Sequence, residues 1–444
     1  MSLGNKGPWI RELPEKWRLT AIKRLVSTKI TDGPHETPEL ADDGVQFISA
    51  EAIKNDQIDF TLRRGFISRE LHDQYCRKCK PQREDIFVIK SGATTGNVAY
   101  VDVDFEFSIW SPLALIRCDK RIAFYKFVYY VFLSDIFRKQ VELAWSFGTQ
   151  QNIGMGVIER LKVPLPPIEE QQRIVAYLDS SCAAINAAMI AKRRQIETLD
   201  SLRKAIISRA VTHGLAPQPK LRQVDHDWLK DVPAHWDVCR VKRVSECMDY
   251  GISVSTVEEG RYPVLKMGHL QDGEISFSNL DFIDELDENL LLETGDLLYN
   301  RTNSPDQVGK AAIFRKSRAD AITFASYLVR LRVNHRANPF FLNYVFNSDG
   351  FLGFARRLAI QSVQQSNLNS TRYSQLFIPL PPVTEQDTIF AYLDEKVAEL
   401  KRIIEGIESQ IATLTAYRKS LIHECVTGQR RITDADLNRV KAHG

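Results

Sequence analysis

Two copies of one signature decide the fold of this chain: VPLPPIEEQQRIVAYLD from Val163 to Asp179, and IPLPPVTEQDTIFAYLD from Ile378 to Asp394, 215 positions later. The prolines exclude a helix that continues through them and a central strand. Glu169 and Glu170 then place negative charge where the first turn of a helix favours it. Each signature therefore predicts the start of a helix.

An apolar stripe with alternating spacings of four and three residues follows each signature, which is the pattern of a coiled-coil seam. Gly214 and Gly428, after basic residues, predict where the two helices end. Two helices of about 40 residues, each roughly 60 Å long, are expected to pack along their length. The alternative, a separate globular domain for each stripe, is disfavoured because so long a stripe would overhang a domain. The predicted seam consists of Leu178, Ile185, Met189, Ile196, Leu199, Ile206, Leu393, Val397, Leu400, Ile404, Ile407, Ile411, Leu414 and Leu421.

The whole chain is a tandem duplication. WIRELPEKW from Trp9 to Trp17 recurs as WLKDVPAHW from Trp228 to Trp236, 219 positions later. Between leader and helix lie variable blocks of about residues 20–162 and 238–377, with short β-rich runs bounded by Gly, Asn and Asp. These blocks are predicted to be mixed α and β domains, which makes the chain an α+β protein.

Composition places the chain among globular proteins. It has 444 residues, of which 44% are hydrophobic and 26% charged, enough for about three domains. The longest apolar run, Phe127 to Leu133, is far shorter than the roughly 18 residues that span a bilayer. Seven scattered cysteines favour reduced thiols over disulfides, so a cytoplasmic location is predicted.

No catalytic constellation is visible. The sequence lacks a GxxxxGK[S/T] loop, so an ATP site of the P-loop type is not expected. Cys76 and Cys79 form a CxxC pair, but no second pair follows at zinc spacing, and two partly buried thiols are expected instead of a metal site.

The variable blocks offer polar loops that suit base recognition. Residues 20–160 carry 19 basic and 19 acidic side chains, and residues 240–375 carry 16 of each, so any DNA contact must come from local clusters and loops. The same residue types also favour turns, so each candidate has two open interpretations. The candidates are Lys29, His35, Lys90, Thr94, Thr95, Asn97, Gln150, Gln151, Asn152, Tyr250, Ser253, Arg301, Thr302, Asn303, Gln364, Gln365, Asn367 and Arg372; the basic clusters are Arg77, Lys78, Lys80 and Arg83, and Arg356 and Arg357.

This organisation resembles the specificity subunit of Type I restriction-modification enzymes over essentially the whole chain. The resemblance is carried by TDGPHETP (Thr31 to Pro38), SGATTG (Ser91 to Gly96), LPEKW (Leu13 to Trp17) and the two PLPPxxEQ signatures. The second copy departs from the pattern, because YGISVSTVEEG (Tyr250 to Gly260) replaces the first of these motifs. Two different half-sites would be expected to differ there.

The resemblance implies two target-recognition domains that read the halves of a bipartite, asymmetric DNA site, spaced by an antiparallel coiled coil in a pseudo-two-fold repeat. The implied partners are double-stranded DNA, two methyltransferase subunits and restriction (motor-nuclease) subunits, with no membrane. S-adenosylmethionine, ATP and Mg would belong to those partners, and this chain would be non-catalytic, without a metal or cofactor of its own. The alternative is a coiled-coil scaffold without DNA readout.

The domain boundaries predicted from the repeat follow the chain in order. They are a leader and first recognition domain, the first helix, a linker and second recognition domain, the second helix, and a C-terminal tail. The corresponding ranges are 1–165, 166–216, 217–380, 381–428 and 429–444.

Overall fold

The computed structural model describes residues 13–144, 151–226, 228–361 and 365–443. The chain folds into two compact units: unit 1 comprises residues 1–192 and 408–444, and unit 2 comprises residues 193–407. Each of the two long helices contributes one part to each unit.

The helices include two that are far longer than the rest, of 46 and 45 residues. In chain order the α-helices are α1 (Arg69–Cys76), α2 (Tyr125–Leu133), α3 (Asp135–Ala144), α4 (Met155–Arg160), α5 (Ile168–His213), α6 (Pro339–Asn347), α7 (Asp349–Leu358), α8 (Ser370–Ser374), α9 (Val383–Thr427) and α10 (Asp434–His443).

Proline and glycine set the ends of the long helices, as the sequence predicts. Helix α5 begins directly after Pro167, with Glu169 in its first turn. Both helices end before a glycine in the left-handed region, Gly214 with φ +72° and Gly428 with φ +75°. A side chain at this φ is strained, so glycine is favoured at both ends.

The two long helices pack on each other in antiparallel fashion within each unit. In unit 1, the first part of α5 contacts the last part of α9, where Thr415 Oγ1 lies 3.4 Å from Met189 Sδ. In unit 2, Ile206 near the end of α5 shares a core with Leu393 near the start of α9. This confirms the helix packing predicted from the stripe.

The predicted seam positions point inwards along both helices. All fourteen are buried or half-buried, whereas Ile190 and Ile403, which lie between seam positions, are 50% and 44% exposed. An apolar side chain on these helices is therefore not buried merely because it is apolar. Its position in the 4-3 spacing determines whether it is buried.

Helix α5 also contains an 18-residue window with a mean hydropathy of 1.5, which by length and composition alone would suffice to cross a membrane. One third of this window is buried inside the protein. Ile174, Leu178 and Ile185 of the same helix belong to the core of unit 1. Packing inside the protein therefore explains why these positions are apolar.

Two sheets form the frame of the recognition domain in unit 1. The central one has the strand order Thr31–Asp32, Leu113–Ile116, Ile86–Ile89, Val98–Tyr100, and the other Gly65–Ile67, Val45–Ile48, Phe107–Ile109. Strand Arg18–Ala21 pairs with Lys162–Leu165 and Ile53–Lys54 with Gln57–Ile58. The pairing of Val45–Ile48 with Phe107–Ile109 is parallel; the others are antiparallel.

Unit 2 repeats this frame strand for strand. Its central sheet has the order Ser245–Tyr250, Leu328–Val333, Leu297–Asn300, Ala311–Ile313, and the other Asp281–Ile283, Tyr262–Leu265, Thr323–Phe324, whose last pair is again parallel. The smaller pairings are Asp237–Arg240 with Phe377–Leu380, Leu270–Gln271 with Glu274–Ile275, Leu221–Gln223 with Asp231–Pro233, and the sheet Thr302–Asn303, Ser366–Asn367, Ile360–Gln361. The mixed α and β character and the duplication are thereby confirmed.

The glutamine of each PLPPxxEQ signature joins a long helix to its recognition domain. The fully buried Gln171 accepts from Phe124 N at 2.8 Å and donates to the carbonyls of Ile122 and Pro166. Gln386 makes the same set of bonds in unit 2, beginning with Asn338 N at 2.7 Å. Buried backbone groups need such partners, which explains why this side chain recurs in both copies.

Candidate nucleic-acid interface

The polar loops predicted in the first variable block meet at one edge of its central sheet. Ser91, in the SGATTG turn, forms an antiparallel bridge with Asn152. Gly92 N donates to Gln151 O at 3.1 Å, and Thr95 Oγ1 donates to the carbonyls of Gly92 and Gln151 at 2.7 and 3.2 Å. Segments about 60 residues apart in sequence thus share one surface.

A buried ion cluster lies directly beneath this edge. Asp32 Oδ2 lies 2.5 Å from Lys90 Nζ, and Asp32 Oδ1 lies 2.7 Å from Lys78 Nζ. Burial alone would raise the pKa of Asp32, but the hydrogen bonds from Lys78 and Lys90 outweigh it and hold the pKa below its ordinary value. The carboxylate therefore stays ionised between two ammonium groups.

The TDGPHETP loop is placed over the cluster by close backbone packing. A Cβ on Gly33 would lie 2.0 Å from Ile109 O, so only glycine fits there. His35 follows, with Nε2 3.2 Å from Asp32 Oδ2 and with 72% of its side chain exposed. Trp110 Nε1 donates to Glu36 O at 3.1 Å and fixes the loop from the other side.

In unit 2 the corresponding loops meet in the same way, with different side chains. Thr302 pairs with Asn367, whose Nδ2 donates to Thr302 Oγ1 at 3.0 Å. The guanidinium carbon of Arg301 lies 4.8 Å from the centre of the Tyr250 ring. Tyr250 OH lies 2.8 Å from Ser370 Oγ, so an aromatic ring, a cation and two hydroxyls lie side by side.

Backbone hydrogen bonds show which residues of the two copies are equivalent. Lys90 O accepts from Ile153 N at 2.8 Å, and Arg301 O accepts from Leu368 N at the same distance. Arg301 is therefore equivalent to Lys90. The sequence alone does not show this equivalence, because the turn after Lys90 and the turn after Arg301 differ in length and composition.

The partner of this basic residue differs between the copies. Asp32 pairs with Ala114 in the first central sheet, and Tyr250 pairs with Val329 at the same place in the second. Lys90 therefore meets a carboxylate where Arg301 meets an aromatic ring. One position keeps a positive charge while its surroundings change, and this difference could not be read from two dissimilar sequences.

The predicted residues occupy different depths. Lys90 is buried, while Thr95, Arg301, Thr302, Asn303 and Asn367 are half-buried. The exposed ones are Lys29, His35, Thr94, Asn97, Gln151, Asn152, Tyr250, Ser253, Gln365 and Arg372. Gln150 and Gln364 lie outside the described residues.

The basic clusters named from the sequence are largely engaged within the protein. Lys78 binds Asp32, Lys80 lies 2.7 Å from Glu106 and Arg83 lies 2.7 Å from Asp104. In unit 2, Arg356 donates to Asp306 O, and the guanidinium carbon of Arg357 lies 5.4 Å from the centre of the Phe354 ring. Charge clustering in sequence thus pointed to intramolecular contacts.

Sequence reasoning missed Asp32, Arg64 and Ser370 as members of these surfaces. Asp32 lies inside the TDGPHETP motif, so the motif held a signal for it. Arg64 lies 4.0 Å from the centre of the Trp110 ring, a contact that depends on distant segments and leaves no local signal.

The cysteine pair was expected to be two partly buried thiols, and Cys76 is half-buried while Cys79 is buried. Burial raises the pKa of Cys79 to about 12, which keeps this thiol protonated. Across the described ranges there is no group of three or more His, Cys, Asp or Glu side chains that could hold a metal ion.

Residues 14–198 and 234–413 match the family described as Type I restriction modification DNA specificity domain, so each copy of the repeat matches once. The chain is 22% identical over 442 residues to the Type I restriction enzyme EcoKI specificity subunit of Escherichia coli (strain K12), which covers 96% of this chain and 92% of that protein. It is 23% identical over 442 residues to the StySPI specificity subunit of Salmonella potsdam, with the same coverage of both chains.

Two solved structures share the fold. A chain from work on complex assembly and conformational transition of the type I R-M system matches with a TM-score of 0.73 and 17% identity, covering 94% of this chain and 98% of that one. The HsdS subunit from Thermoanaerobacter tengcongensis matches with a TM-score of 0.53 and 19% identity, covering 96% and 99%. At these low sequence identities, the similarity shows a shared fold and nothing more.

Proposed function

We propose a function from one premise: this chain belongs to the Type I restriction modification DNA specificity family. It is the DNA-recognition subunit of a Type I restriction-modification complex. Each recognition domain reads one half of a bipartite, asymmetric site. The scaffold alternative is not favoured, because the family match covers both copies of the repeat and most of the chain.

The proposal depends on one observation: the two recognition domains share the same backbone frame but carry different side chains at its polar loops. The turn after Lys90 and the turn after Arg301 meet their second loops through equivalent backbone bonds, yet Asp32 and Tyr250 differ. Two readers of different half-sites need this combination, since the frame sets the approach to the groove and the side chains select the bases.

Charge balance suggests how binding energy is shared. Each variable block has equal numbers of acidic and basic residues, and several basic side chains are held in internal ion pairs. Contacts to phosphates dominate the affinity of most DNA-binding proteins. We expect the partner subunits to supply many of these contacts, so the isolated chain binds DNA weakly.

The long helices are proposed to set the spacing between the half-sites. Readers that approach one face of B-DNA fit best about one turn, roughly 34 to 36 Å, apart. Helices α5 and α9, of 46 and 45 residues, are long enough to serve both recognition domains. The unread spacer of the site would then follow from helix length.

The chain is proposed to be non-catalytic and to act in the cytoplasm. Two methyltransferase subunits would dock on its two equivalent halves, and restriction subunits would join them. S-adenosylmethionine, ATP and Mg are expected on those partners. The chain would select the DNA sequence at which the complex acts, and the partners would catalyse the reactions.

The proposal is tested by co-expressing this chain with the methyltransferase encoded beside it, if one is, in a host without DNA methylation. Modified adenines are then mapped across the genome at single-base resolution. We expect a two-part motif with a fixed gap. Replacing residues 20–160 with the block of another family member should change one half of the motif and leave the other.

The control is the complex with both blocks native, which must give one reproducible motif. A stable complex that modifies no motif would contradict the proposal and support the scaffold alternative. A block exchange that changes both halves would contradict the assignment of one half-site to each domain.

A further inference from the structure

The first turns of α5 and α9 form equivalent grooves in the two units. Glu170 and Glu385 occupy the same place in the two PLPPxxEQ signatures, and Tyr177 and Tyr392 follow seven residues later in each. We name the surface around Glu170 and Tyr177 the first groove, and the surface around Glu385 and Tyr392 the second groove. Each belongs to a single unit.

The C-terminal tail, residues 429–443, fills the first groove. Arg431 forms an ion pair with Glu170 at 2.9 Å, and the guanidinium carbon of Arg430 lies 5.1 Å from the centre of the Tyr177 ring. Beneath the tail, Tyr177 is only 6% exposed. The tail thus covers the groove with two cations placed on an acid and an aromatic ring.

A short amphipathic helix completes this cover. Ile432 is 6% exposed in the core of unit 1, and Leu437 and Val440 of α10 pack against the same core. Thr433 and Asp436 cap the helix, with Thr433 N donating to Asp436 Oδ2 at 2.9 Å. The tail therefore binds the first groove through two arginines, one aliphatic side chain and a capped helix.

The second groove is open in unit 2. In unit 2, the segment after α5 leads into strand Leu221–Gln223, whereas in unit 1 the segment after α9 leads into helix α10. Tyr392 is 37% exposed, against 6% for its counterpart Tyr177, and Val383 is 40% exposed. A cavity of about 380 Å³ lies here, lined by Leu215, Ala216, Thr384, Glu385, Thr388 and Ile389.

The second groove retains the groups that hold the tail in the first. Glu385 Oε2 lies 2.8 Å from His235 Nε2, whereas Glu170 Oε2 accepts from Trp17 Nε1 at 3.1 Å. In unit 1 it is the other oxygen, Oε1, that binds Arg431. An arginine from outside would therefore find a carboxylate and an exposed tyrosine ring seven residues apart on one helix, as Glu170 and Tyr177 are.

We infer that the second groove binds a helix of a partner subunit that presents arginine and aliphatic side chains as the tail does. A second copy of this chain is a poor occupant, because it would first have to withdraw its tail from its own groove and expose that surface. The tail makes the two grooves unequal: the first is closed by the chain itself, and the second accepts a partner. The inference rests on the proposed function only in taking the partner from the same complex.

The test uses a labelled peptide with the sequence of residues 428–444 and follows its binding to the full chain by fluorescence anisotropy. We expect one site on the full chain. Glu385→Lys should weaken binding at least tenfold, because it places like charge opposite the peptide arginines, and Tyr392→Asp should also weaken it. Glu405→Lys, at an exposed acid further along α9, is the matched control and should leave binding unchanged.

Removing the tail should raise the number of peptide sites from one to two, since the first groove is then open. If the truncated chain does not fold, the inference is still tested by the number of peptide sites on the full chain and by the effect of Glu385→Lys on that binding. Absence of peptide binding to the full chain, or binding that Glu385→Lys does not weaken, would overturn the inference. So would sedimentation showing a dimer of the native chain that Glu385→Lys dissociates, since a second copy would then be the occupant.

In the co-expressed complex, Glu385→Lys should lower the yield of bound partner while leaving the DNA motif of any complex that still forms unchanged. The native proteins separate the two proposals. If the native complex modifies no motif while the native chain binds the peptide, the proposed function alone is contradicted. If the native complex gives the motif while the native chain does not bind the peptide, the groove alone is contradicted.

Discussion

At the scale of single residues, the clearest feature is a basic side chain kept at one position of both recognition domains. Lys90 is buried and paired with Asp32, whereas Arg301 is half-buried and lies over Tyr250. A buried charge is tolerated only with a partner, so Asp32 has a structural role as well as a place beside the candidate interface.

Asp32→Ala should lower the free energy of unfolding by about 3 kcal/mol, because Lys90 is left buried without its carboxylate. Urea unfolding would measure the change, and Asp43→Ala, at an exposed position, should change it by no more than about 0.5 kcal/mol. Equal effects of the two substitutions would show that the buried ion cluster does not stabilise the domain.

The same cluster predicts a dependence on pH. The pKa of Asp32 is lower in the folded chain than its ordinary value, so the folded state binds the proton less readily than the unfolded state. Its contribution to stability is therefore complete above the ordinary pKa and is lost as pH falls through the lowered one. Unfolding measured between neutral and acidic pH should show a loss that Asp32→Ala removes; an identical loss in the variant would contradict this assignment.

Arg301→Ala should weaken or relax recognition of one half of the DNA motif and leave the other half as it was. The loss of one base contact costs about 1 to 3 kcal/mol, which is roughly a fivefold to 150-fold loss of discrimination. Methylome mapping of the co-expressed complex would measure it. Arg318→Ala, which removes an arginine paired with Glu293, is the control and should leave the motif intact.

At the scale of elements, the repeated signature builds one joint twice. Prolines stop the preceding strand, acidic residues favour the first turn, and the buried glutamine ties that turn to the backbone of the recognition domain. A motif that looks like a helix start therefore also fixes the position of the helix.

Gln171→Leu should lower the free energy of unfolding by about 2 to 4 kcal/mol, since it leaves the N–H of Phe124 and two carbonyls without their partner. The neighbouring Gln172 is exposed, so Gln172→Leu should cost less than about 0.5 kcal/mol. Chemical denaturation would compare the two variants. A small effect at both positions would mean that water replaces the glutamine at little cost.

At the scale of the whole molecule, a duplicated chain has become two recognition domains with the same frame and different surfaces. The two long helices continue through the boundary between the units at residues 192 and 407. Inserting seven residues after each of these positions keeps the heptad register and adds about 10.5 Å to each helix.

Such a double insertion should lengthen the unread spacer of the DNA motif, by up to about three base pairs, while both half-sites stay the same. Single-base mapping of methylated adenines would detect the change. The control is an insertion of equal length in the tail after residue 443, which should leave the spacer unchanged. An unaltered spacer in the double insertion would mean that helix length does not set it.

The sequence by itself determined the tandem repeat, the starts and ends of the long helices and the inward face of each, because proline, glycine and the 4-3 spacing act within a few residues. The polar loops of the candidate interface were also identifiable, since their residue types are local. Which domain each part of a helix joins, the equivalence of Arg301 with Lys90, and the closing of one groove by the tail were decided only by the tertiary structure. Each of these depends on packing between distant segments, where many pairings are compatible with the same local pattern and only the complete set of contacts selects one.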